Sequence, residues 1–377
     1  MDIALKILAV IVGAALVVAA IGSAIKTVVL PRASVSFITR WVFLGLRGIF
    51  QMIAGPSLAQ EKRDRRLAWY SPLGLVLTLA AWLTLVLAGF TLIFWGAEDL
   101  TPLEAFDLSG SSLFTLGTTR PATTPGFALT FVEAAIGLFL LALLITYLPS
   151  IYSAFSRREL GVTALEVRAG SPPSGAVLVW RFWALRRMEH LNAVWIEWER
   201  WFVDVEETHT SLPAVVFFRS PQSDHHWVTA AGAVLDGAAL AASTIDIEHD
   251  VQADFCLRAG YLCLRRICDF FGIPYDPTPD PTDPISITRA EWDEAVAGLE
   301  EEGVPIKADR EQAWRDFAGW RVNYDSTLLA LANLTSAPSA PWSSDRSGDG
   351  TVRPRLFRGA VMPPSERGGD DPTTFSA

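Results

Sequence analysis

The sequence has few of the residues that form disulfides, metal sites and many catalytic sites. It contains three cysteines and five histidines in 377 residues. Cys256, Cys263 and Cys268 fall in one predicted helix, with a spacing that matches neither a disulfide framework nor a C-x-x-C pair. We therefore expect buried, reduced thiols. The histidines lack metal-ligand spacing on any one helix, so no metal site is predicted.

Motifs of nucleotide binding and of enzymatic catalysis are also missing. The chain has no G-x-G-x-x-G and no P-loop sequence, and no Ser/His/Asp or Cys/His arrangement is legible. Residues 156–377 carry 21 basic against 33 acidic residues, which gives no reason to expect nucleic-acid binding. We expect a protein that is not an enzyme and that needs no cofactor.

Long apolar runs are abundant, by contrast, and they are confined to the first 156 residues. A spanning helix needs about 20 mostly apolar residues, and residues 7–25, 67–97 and 134–156 meet that requirement. The first run exceeds the usual core of a signal peptide, so we expect it to be retained. The sequence thus predicts a mainly α-helical membrane protein with three transmembrane helices and a helical cytoplasmic domain.

The predicted organisation has five parts. They are an N-terminal transmembrane helix (1–31), a basic interfacial amphipathic helix with a linker (32–70), a two-span module (71–156), a cytoplasmic helical domain (157–335) with a Pro-rich linker at 272–284, and a disordered tail (336–377). Within residues 33–60, Arg40 and Arg47 share one helical face and apolar residues cover much of the rest. This pattern favours a helix lying in the membrane plane.

The positions of basic residues predict the topology. Eight of them lie between the first and second predicted spans: Lys26, Arg32, Arg40, Arg47, Lys62, Arg63, Arg65 and Arg66. Arg157 and Arg158 follow the third span directly. The positive-inside rule assigns both groups to the cytoplasm. We therefore expect a multi-pass protein of the cell membrane whose N-terminus is outside and whose C-terminal domain is cytoplasmic.

The connection between the last two spans has an unusual composition. Residues 104–127 read EAFDLSGSSLFTLGTTRPATTPGF. Pro102 opens a predicted short helix over 103–114, and a Thr/Gly run follows it. Arg120-Pro121 and Pro125-Gly126 then lead into the final helix. Irregular backbone at membrane depth occurs only where it lines a water-filled cavity or is buried in protein.

This arrangement resembles the two-transmembrane pore module of potassium channels. In that family a stretch such as D-A-x-x-F-S-x-x-T-x-T-T-V-G-Y-G-D-x-x-P precedes the inner helix. This chain has Glu104-Ala105 and Leu108-Ser109, followed by Phe114-Thr115-Leu116-Gly117-Thr118-Thr119-Arg120. The resemblance covers residues 71–160 and indicates that residues 71–156 form a pore module: outer helix, re-entrant pore loop and inner helix.

The resemblance implies a homotetrameric ion channel in the lipid bilayer, gated by its cytoplasmic domain. Thr115, Leu116, Gly117 and Thr118 match the T-V-G-Y positions, whose carbonyls replace the water shell of a monovalent ion, potassium in that family. Thr119 stands where the family has its second Gly, and Arg120 where it has Asp. These departures leave two alternatives open: a channel of altered selectivity, either non-selective for cations or anion-tolerant, and a non-conducting protein used for assembly or signalling. The sequence does not identify the cytoplasmic regulator.

Several residues around the loop have two interpretations each. Arg120 either pairs with Glu104, Asp107 or Glu133 behind the filter or acts directly on ions at the mouth. Gly137 is either a gating hinge in the inner helix or a site of close helix packing. Pro149 kinks the inner helix near its cytoplasmic end and is a candidate gate.

The C-terminal half is predicted to be helical. The expected helices cover residues 178–203, 225–243, 251–271, 289–302 and 309–332. The aromatic stripe in the first of them, which includes Trp195, Trp198 and Phe202, is expected to be core. Residues 213–220 suit a short strand or a turn of helix. Thr288 with Glu291 fits a capping box, and Asp309 fits a helix cap.

Overall fold

The computed structural model describes residues 3–30, 36–54, 60–220, 222 and 224–346. This part of the chain is helical and contains no β-strand beyond an isolated bridge between Ile245 and Ile306. Thirteen α-helices follow in order: α1 (Ile3–Val28), α2 (Phe37–Ile53), α3 (Gln60–Leu67), α4 (Tyr70–Ala97), α5 (Pro102–Leu113), α6 (Thr124–Ala169), α7 (Gly175–Ala184), α8 (Leu191–Ser211), α9 (Trp227–Ser243), α10 (Val251–Phe271), α11 (Arg289–Glu301), α12 (Arg310–Arg321) and α13 (Asp325–Thr335). The prediction of a mainly α protein is confirmed.

Helices α1, α4 and α6 are long and apolar enough to cross a membrane. They contain the three predicted spans, apart from residues 67–69 before α4. Helices α1 and α4 pack closely because Gly13 and Gly89 face each other, where a Cβ on either would meet the other's carbonyl oxygen. The indole Nε1 of Trp82 donates to Ser23 Oγ at 2.8 Å in the same interface.

Helix α2 lies within residues 33–60, where the sequence predicts an amphipathic helix. Its inner face buries Phe43 and Phe50 against the protein, whereas Phe37, Trp41 and Met52 are exposed on the outer face. Ser36 caps its N-terminus by accepting a hydrogen bond from Thr39 N. With 17 residues, α2 is shorter than a span, and an apolar outer face suits a helix that borders lipid.

Helix α6 runs without interruption through the predicted boundary between residues 156 and 157. Its 46 residues correspond to a length of about 69 Å. Pro149 lies inside the helix and does not end it. The last turns, with Val162, Leu165 and Ala169, are buried against the C-terminal helices. We refer to α7–α13 as the C-terminal domain, and α6 connects it directly to the membrane half.

The core of the C-terminal domain is built around α9. This helix is rich in alanine and glycine, and 16 of its residues are buried, so α7, α10 and α12 approach it closely. The aromatic stripe of α8 is buried, as predicted. The three cysteines of α10 are buried and unpaired, also as predicted, and burial raises the pKa of their thiols.

Two predicted helices are each divided in the structure. Residues 178–203 do not form one helix, because α7 ends at Ala184 and α8 begins at Leu191. Between them Arg186 takes a left-handed conformation (φ 55°). Nothing in the sequence indicates this break, because residues 185–190 contain no Gly or Pro. Residues 309–332 likewise divide into α12 and α13. The break lets Arg321 and Tyr324 both reach the buried carboxylate of Asp236, at 2.6 and 2.9 Å.

The predicted caps are confirmed. Thr288 and Glu291 form a reciprocal capping box at the start of α11, and Asp309 accepts a hydrogen bond from Gln312 N at 2.9 Å. Residues 213–217 form a 3₁₀ helix, so the helical alternative for that stretch is the right one. Residues 272–284 contain no regular element, as expected of a Pro-rich linker.

The disordered tail was predicted to begin at residue 336, but residues 336–346 are packed against the C-terminal domain. Ser343 is buried, and the Trp342 carbonyl accepts a hydrogen bond from Arg321 Nη2 at 2.6 Å. The prediction of disorder is therefore wrong for residues 336–346, because the buried Arg321 guanidinium needs this acceptor. The rest of the predicted tail lies outside the described residues.

Candidate functional site

Helix α5 lies between the candidate spans α4 and α6 and confirms the short helix predicted over 103–114. Thr101 and Glu104 form a capping box at its start: Thr101 N donates to Glu104 Oε2 at 2.8 Å, and Glu104 N donates to Thr101 Oγ1 at 3.3 Å. The backbone and hydroxyl hydrogen bonds from Thr101 lower the pKa of Glu104. Glu104 therefore acts on the helix start, at the opposite end of α5 from residues 114–120.

The backbone N–H groups that follow α5 turn back towards the end of that helix. Thr115 N donates to Ser112 O at 3.0 Å, and Leu116 N donates to Ser111 O at 2.8 Å. Gly117 N reaches the same Ser111 carbonyl at 3.5 Å, and Thr119 N donates to Ser111 Oγ at 3.1 Å. Ser111 alone thus accepts three hydrogen bonds from the loop.

The carbonyl groups of the loop point the other way as a consequence. In a trans peptide the N–H of one residue is directed opposite to the C=O of the residue before it. The N–H directions therefore turn the carbonyls of Phe114, Thr115, Leu116 and Thr118 away from α5. No described residue donates a hydrogen bond to them, which leaves a row of unpaired acceptors on the surface of the chain.

Two residues of the loop adopt left-handed backbone conformations. Gly117 has φ 70°, which glycine adopts without steric cost, and Thr115 has φ 56°. A β-branched residue rarely adopts positive φ, and such strain costs about 1–3 kcal/mol and concentrates at functional sites. Nothing in the sequence indicated a left-handed conformation at Thr115.

Glu133 supports α5 from behind. Its side chain is fully buried in the membrane half, and Ser109 Oγ lies 2.5 Å from Glu133 Oε1. Oε2 has no hydrogen-bond partner among the described residues. Glu133 therefore connects α6 to α5, away from the row of carbonyls.

Gly137 lies one turn further along α6, where it contacts the last residue of α5. A Cβ at this position would lie 2.6 Å from Leu113 O and 2.9 Å from Leu113 Cδ1. Of the two interpretations of Gly137, close packing is the one that these contacts support. The packing fixes the C-terminal end of α5, from which the loop departs.

Glu98 closes the loop at its base, and sequence reasoning missed it. The side chain is buried where α4 ends, and Thr123 Oγ1 donates to Glu98 Oε1 at the N-cap of α6. A Cβ at Gly126 would also strike this carboxylate. The sequence showed only an acid at the end of an apolar run, without a signal for its partner 25 residues later.

Arg120 lies exposed after the row of carbonyls. In the described part of the chain, no hydrogen bond or ion pair connects it with Glu104, Asp107, Glu133 or any other residue. Within a single chain, therefore, none of the ion pairs predicted as one interpretation of Arg120 is formed. Pro149 is not part of this arrangement, since it lies 12 residues after Gly137, about 18 Å along α6.

The C-terminal part of α6 is fixed to the C-terminal domain by a buried arginine. Arg158 Nη1 donates to Val215 O at 2.9 Å, and its Nη2 donates to Phe218 O at 2.7 Å. The Arg158 carbonyl accepts from Trp201 Nε1 at 3.0 Å. Ser71, at the start of α4, donates to Ala214 O at 2.7 Å. The turn that follows α8 therefore contacts both long helices that flank the loop.

Comparison with known proteins gives no family assignment. The chain matches no model of a protein family, no curated protein and no solved structure. Inferences about function therefore depend on the contacts of the loop and of α6.

Proposed function

We propose that this protein forms a tetrameric, cation-conducting channel whose filter is the segment Thr115–Thr119. The observation that carries the proposal is the row of carbonyls at Phe114, Thr115, Leu116 and Thr118, which lack donors among the described residues because every bonded N–H of the segment points back to α5. Rings of backbone carbonyls replace the hydration shell of a permeating cation in ion filters. Assembly of a tetramer would bury these carbonyls, buried carbonyls need a partner, and an ion on the central axis would supply it.

The orientation of α5 supports a cation over an anion. The C-terminal end of a helix carries a partial negative charge, and α5 ends at Leu113, directly before the row of carbonyls. Helix C-terminal ends and unwound carbonyls together coordinate cations in membrane proteins. These fields oppose entry of chloride, so we favour a cation channel over an anion-tolerant one.

Four copies would close the pore. One chain supplies one row of carbonyls on an exposed surface, and a single row cannot surround an ion. The membrane part of α6 also leaves large apolar side chains uncovered, among them Phe131, Leu138 and Ile145. Neighbouring copies and lipid would cover them. We propose that the loop opens to the outside, with the N-terminus outside and the C-terminal domain cytoplasmic, as the basic residues indicate.

The continuity of α6 favours control by the C-terminal domain. Movement of that domain would be transmitted through Arg158, which is buried where α6 enters the domain. Pro149 removes one backbone hydrogen bond in the helix between this point and the loop. We propose that the helix bends there when the pore opens.

A channel of altered selectivity is the second candidate. Arg120 lies exposed beyond the row of carbonyls and has no ion pair among the described residues. Four copies would therefore place four positive charges at the mouth of the pore. Thr119 replaces the glycine of the potassium-channel pattern. Both differences favour weak discrimination between potassium and sodium, with carbonyls still selecting cations.

Flux measurements in liposomes test the proposal. The full-length protein is reconstituted, and potassium, sodium and chloride fluxes are measured after its oligomeric mass has been determined. We expect a tetramer with cation flux well above chloride flux. An intact tetramer without flux above that of empty liposomes would contradict conduction and favour the non-conducting alternative.

A further inference from the structure

A cavity of about 340 Å³ lies where the interfacial helices meet the C-terminal domain. Its walls come from α2, α3, the start of α4, the turn after α8 and the end of α13. This volume is within the range of small-molecule sites, about 300–1,000 Å³. The cavity is far from the loop at 98–123 in the chain and is unrelated to the carbonyl row.

Three arginines from three different elements line the cavity: Arg47 of α2, Arg63 of α3 and Arg219 after the 3₁₀ turn. Aromatic and aliphatic side chains supply the other walls, including Phe50, Leu67, Tyr70, Phe217 and Leu334. Among the described residues, no acidic side chain lines the cavity. A concave site with convergent guanidinium groups and apolar walls suits an amphiphilic anion.

Only one of the three arginines is compensated within the described part of the chain. Arg219 pairs with buried Asp64, and its Nη2 donates to Thr335 O and Ser336 O, each at 2.6 Å. Arg63 Nε is buried without a hydrogen-bond partner. Arg47 is half-buried and has no hydrogen bond or ion pair among the described residues. Two positive charges therefore remain available to a ligand.

Burial makes the positive charges of these arginines unfavourable, and a bound anion would compensate them. Burial lowers the pKa of Arg47, and it also lowers the pKa of Arg219, to which the neighbouring Arg63 adds repulsion despite the attraction of Asp64. Buried charges are normally paired, because an uncompensated one is costly. Arginine is also the residue best suited to bidentate recognition of phosphate.

The position of the cavity indicates where the anion comes from. Helix α2 lines the cavity with one face and exposes Phe37, Trp41 and Met52 on its outer face. An apolar exposed face of this kind places the helix, and with it the cavity, beside lipid. Basic pockets next to membrane helices on the cytoplasmic side bind anionic lipid headgroups. We infer that Arg47, Arg63 and Arg219 form a binding site for a phosphate-bearing anion, the headgroup of an anionic phospholipid. A soluble phosphate ester shares this chemistry and is distinguished by experiment.

Binding is measured on the full-length protein, so the test does not depend on whether the pore conducts. Native mass spectrometry would follow titration with phosphatidylglycerol, phosphatidylcholine and sodium glycerophosphate. Arg47→Gln and Arg63→Gln are the test variants. Arg40→Gln and Lys62→Gln are matched controls, since they remove a charge from the same two helices outside the cavity. Thermal unfolding confirms that each variant is folded.

We expect phosphatidylglycerol to bind more tightly than phosphatidylcholine. Each test variant should weaken that binding about tenfold, or about 1.4 kcal/mol, with the controls within about twofold of the unsubstituted protein. Glycerophosphate bound equally well, with the same pattern among variants, would support the phosphate site with a soluble source. Equal losses in test and control variants, or no binding of any probe, would overturn the inference. Arg63→Lys separates charge from geometry, and retention of part of the affinity is expected.

Discussion

Substitution of Gly137 by alanine distinguishes a packing role from a hinge role in α6. The added Cβ would lie 2.6 Å from the backbone oxygen of Leu113 and 2.9 Å from Leu113 Cδ1. The side-chain atom can move, but the carbonyl belongs to the last residue of α5 and cannot move alone. The two helices must therefore separate by several tenths of an ångström at the point where the loop begins.

Two opposing effects set the change in stability. Alanine in place of glycine within a helix favours the folded state by about 0.5–1 kcal/mol. Forcing extra volume into a packed interface costs about 1–3 kcal/mol. The clash at Gly137 involves backbone, so the cost of the clash outweighs the gain in helix propensity, and we expect a net loss of about 1–2 kcal/mol. Displacement of Leu113 should also weaken the hydrogen bonds that hold the loop to Ser111.

Gly22→Ala is the matched control, because a Cβ at Gly22 in α1 would meet nothing within 4 Å. Thermal unfolding in detergent should therefore give a lower midpoint for Gly137→Ala and an unchanged or higher one for Gly22→Ala. Ion flux of the Gly137 variant should lose selectivity. If Gly137→Ala were as stable as Gly22→Ala and changed only the open fraction, the packing argument would be refuted and a hinge favoured.

Three further predictions concern the mouth, the loop and the C-terminal domain. Arg120→Asp should shift the reversal potential towards stronger cation preference, and an unchanged potential would exclude a direct action of Arg120 on ions. Ser111→Ala removes the acceptor of Thr119 N and should reduce selective flux at a stability cost of about 1 kcal/mol. Ser112→Ala is its control, since Ser112 Oγ bonds only to Leu108 O within α5, and equal effects of the two would argue against the assigned loop geometry. Burial and the nearby Arg158 charge hold the pKa of His209 well below its ordinary value of 6.5, so below about pH 6.5 the unfolded state takes up a proton that the native state does not. Below about pH 6.5 His209 should lower the stability by up to about 1.4 kcal/mol per pH unit, and buried His226, whose pKa is also held well below its ordinary value, adds to the fall; neither contributes a slope above about pH 7. Measurements of unfolding between pH 5 and 8 check this prediction. His209→Gln should reduce the slope of stability against pH, and an unchanged slope would show that His209 is not responsible.

Local signals made much of the fold predictable from the sequence. The predicted helix over 251–271 coincides with α10, because an Asp cap and a following glycine mark its two ends. The capping box at Thr288 and Glu291 was recognisable for the same reason. Apolar runs of sufficient length located the three candidate spans, since length and composition alone decide that question.

Contacts between distant residues explain what the sequence could not predict. The break before α8 depends on a left-handed backbone at Arg186, a position where the sequence has no residue typical of turns. The role of Ser111 depends on the direction of backbone N–H groups, which side-chain patterns do not report. Glu98 and Thr123 meet only because α4 and α6 come together at the base of the loop. The candidate filter was thus located from the sequence, whereas the groups that orient it were not.

Density for permeating ions tests the central claim most directly. The full-length protein would be imaged by electron cryomicroscopy in lipid nanodiscs with rubidium as the monovalent cation. We predict a tetramer with rubidium density on its axis, between carbonyls of Thr115, Leu116 and Thr118 from all four chains. Loops whose carbonyls face away from the axis, or an axis without ion density at that level, would contradict the account.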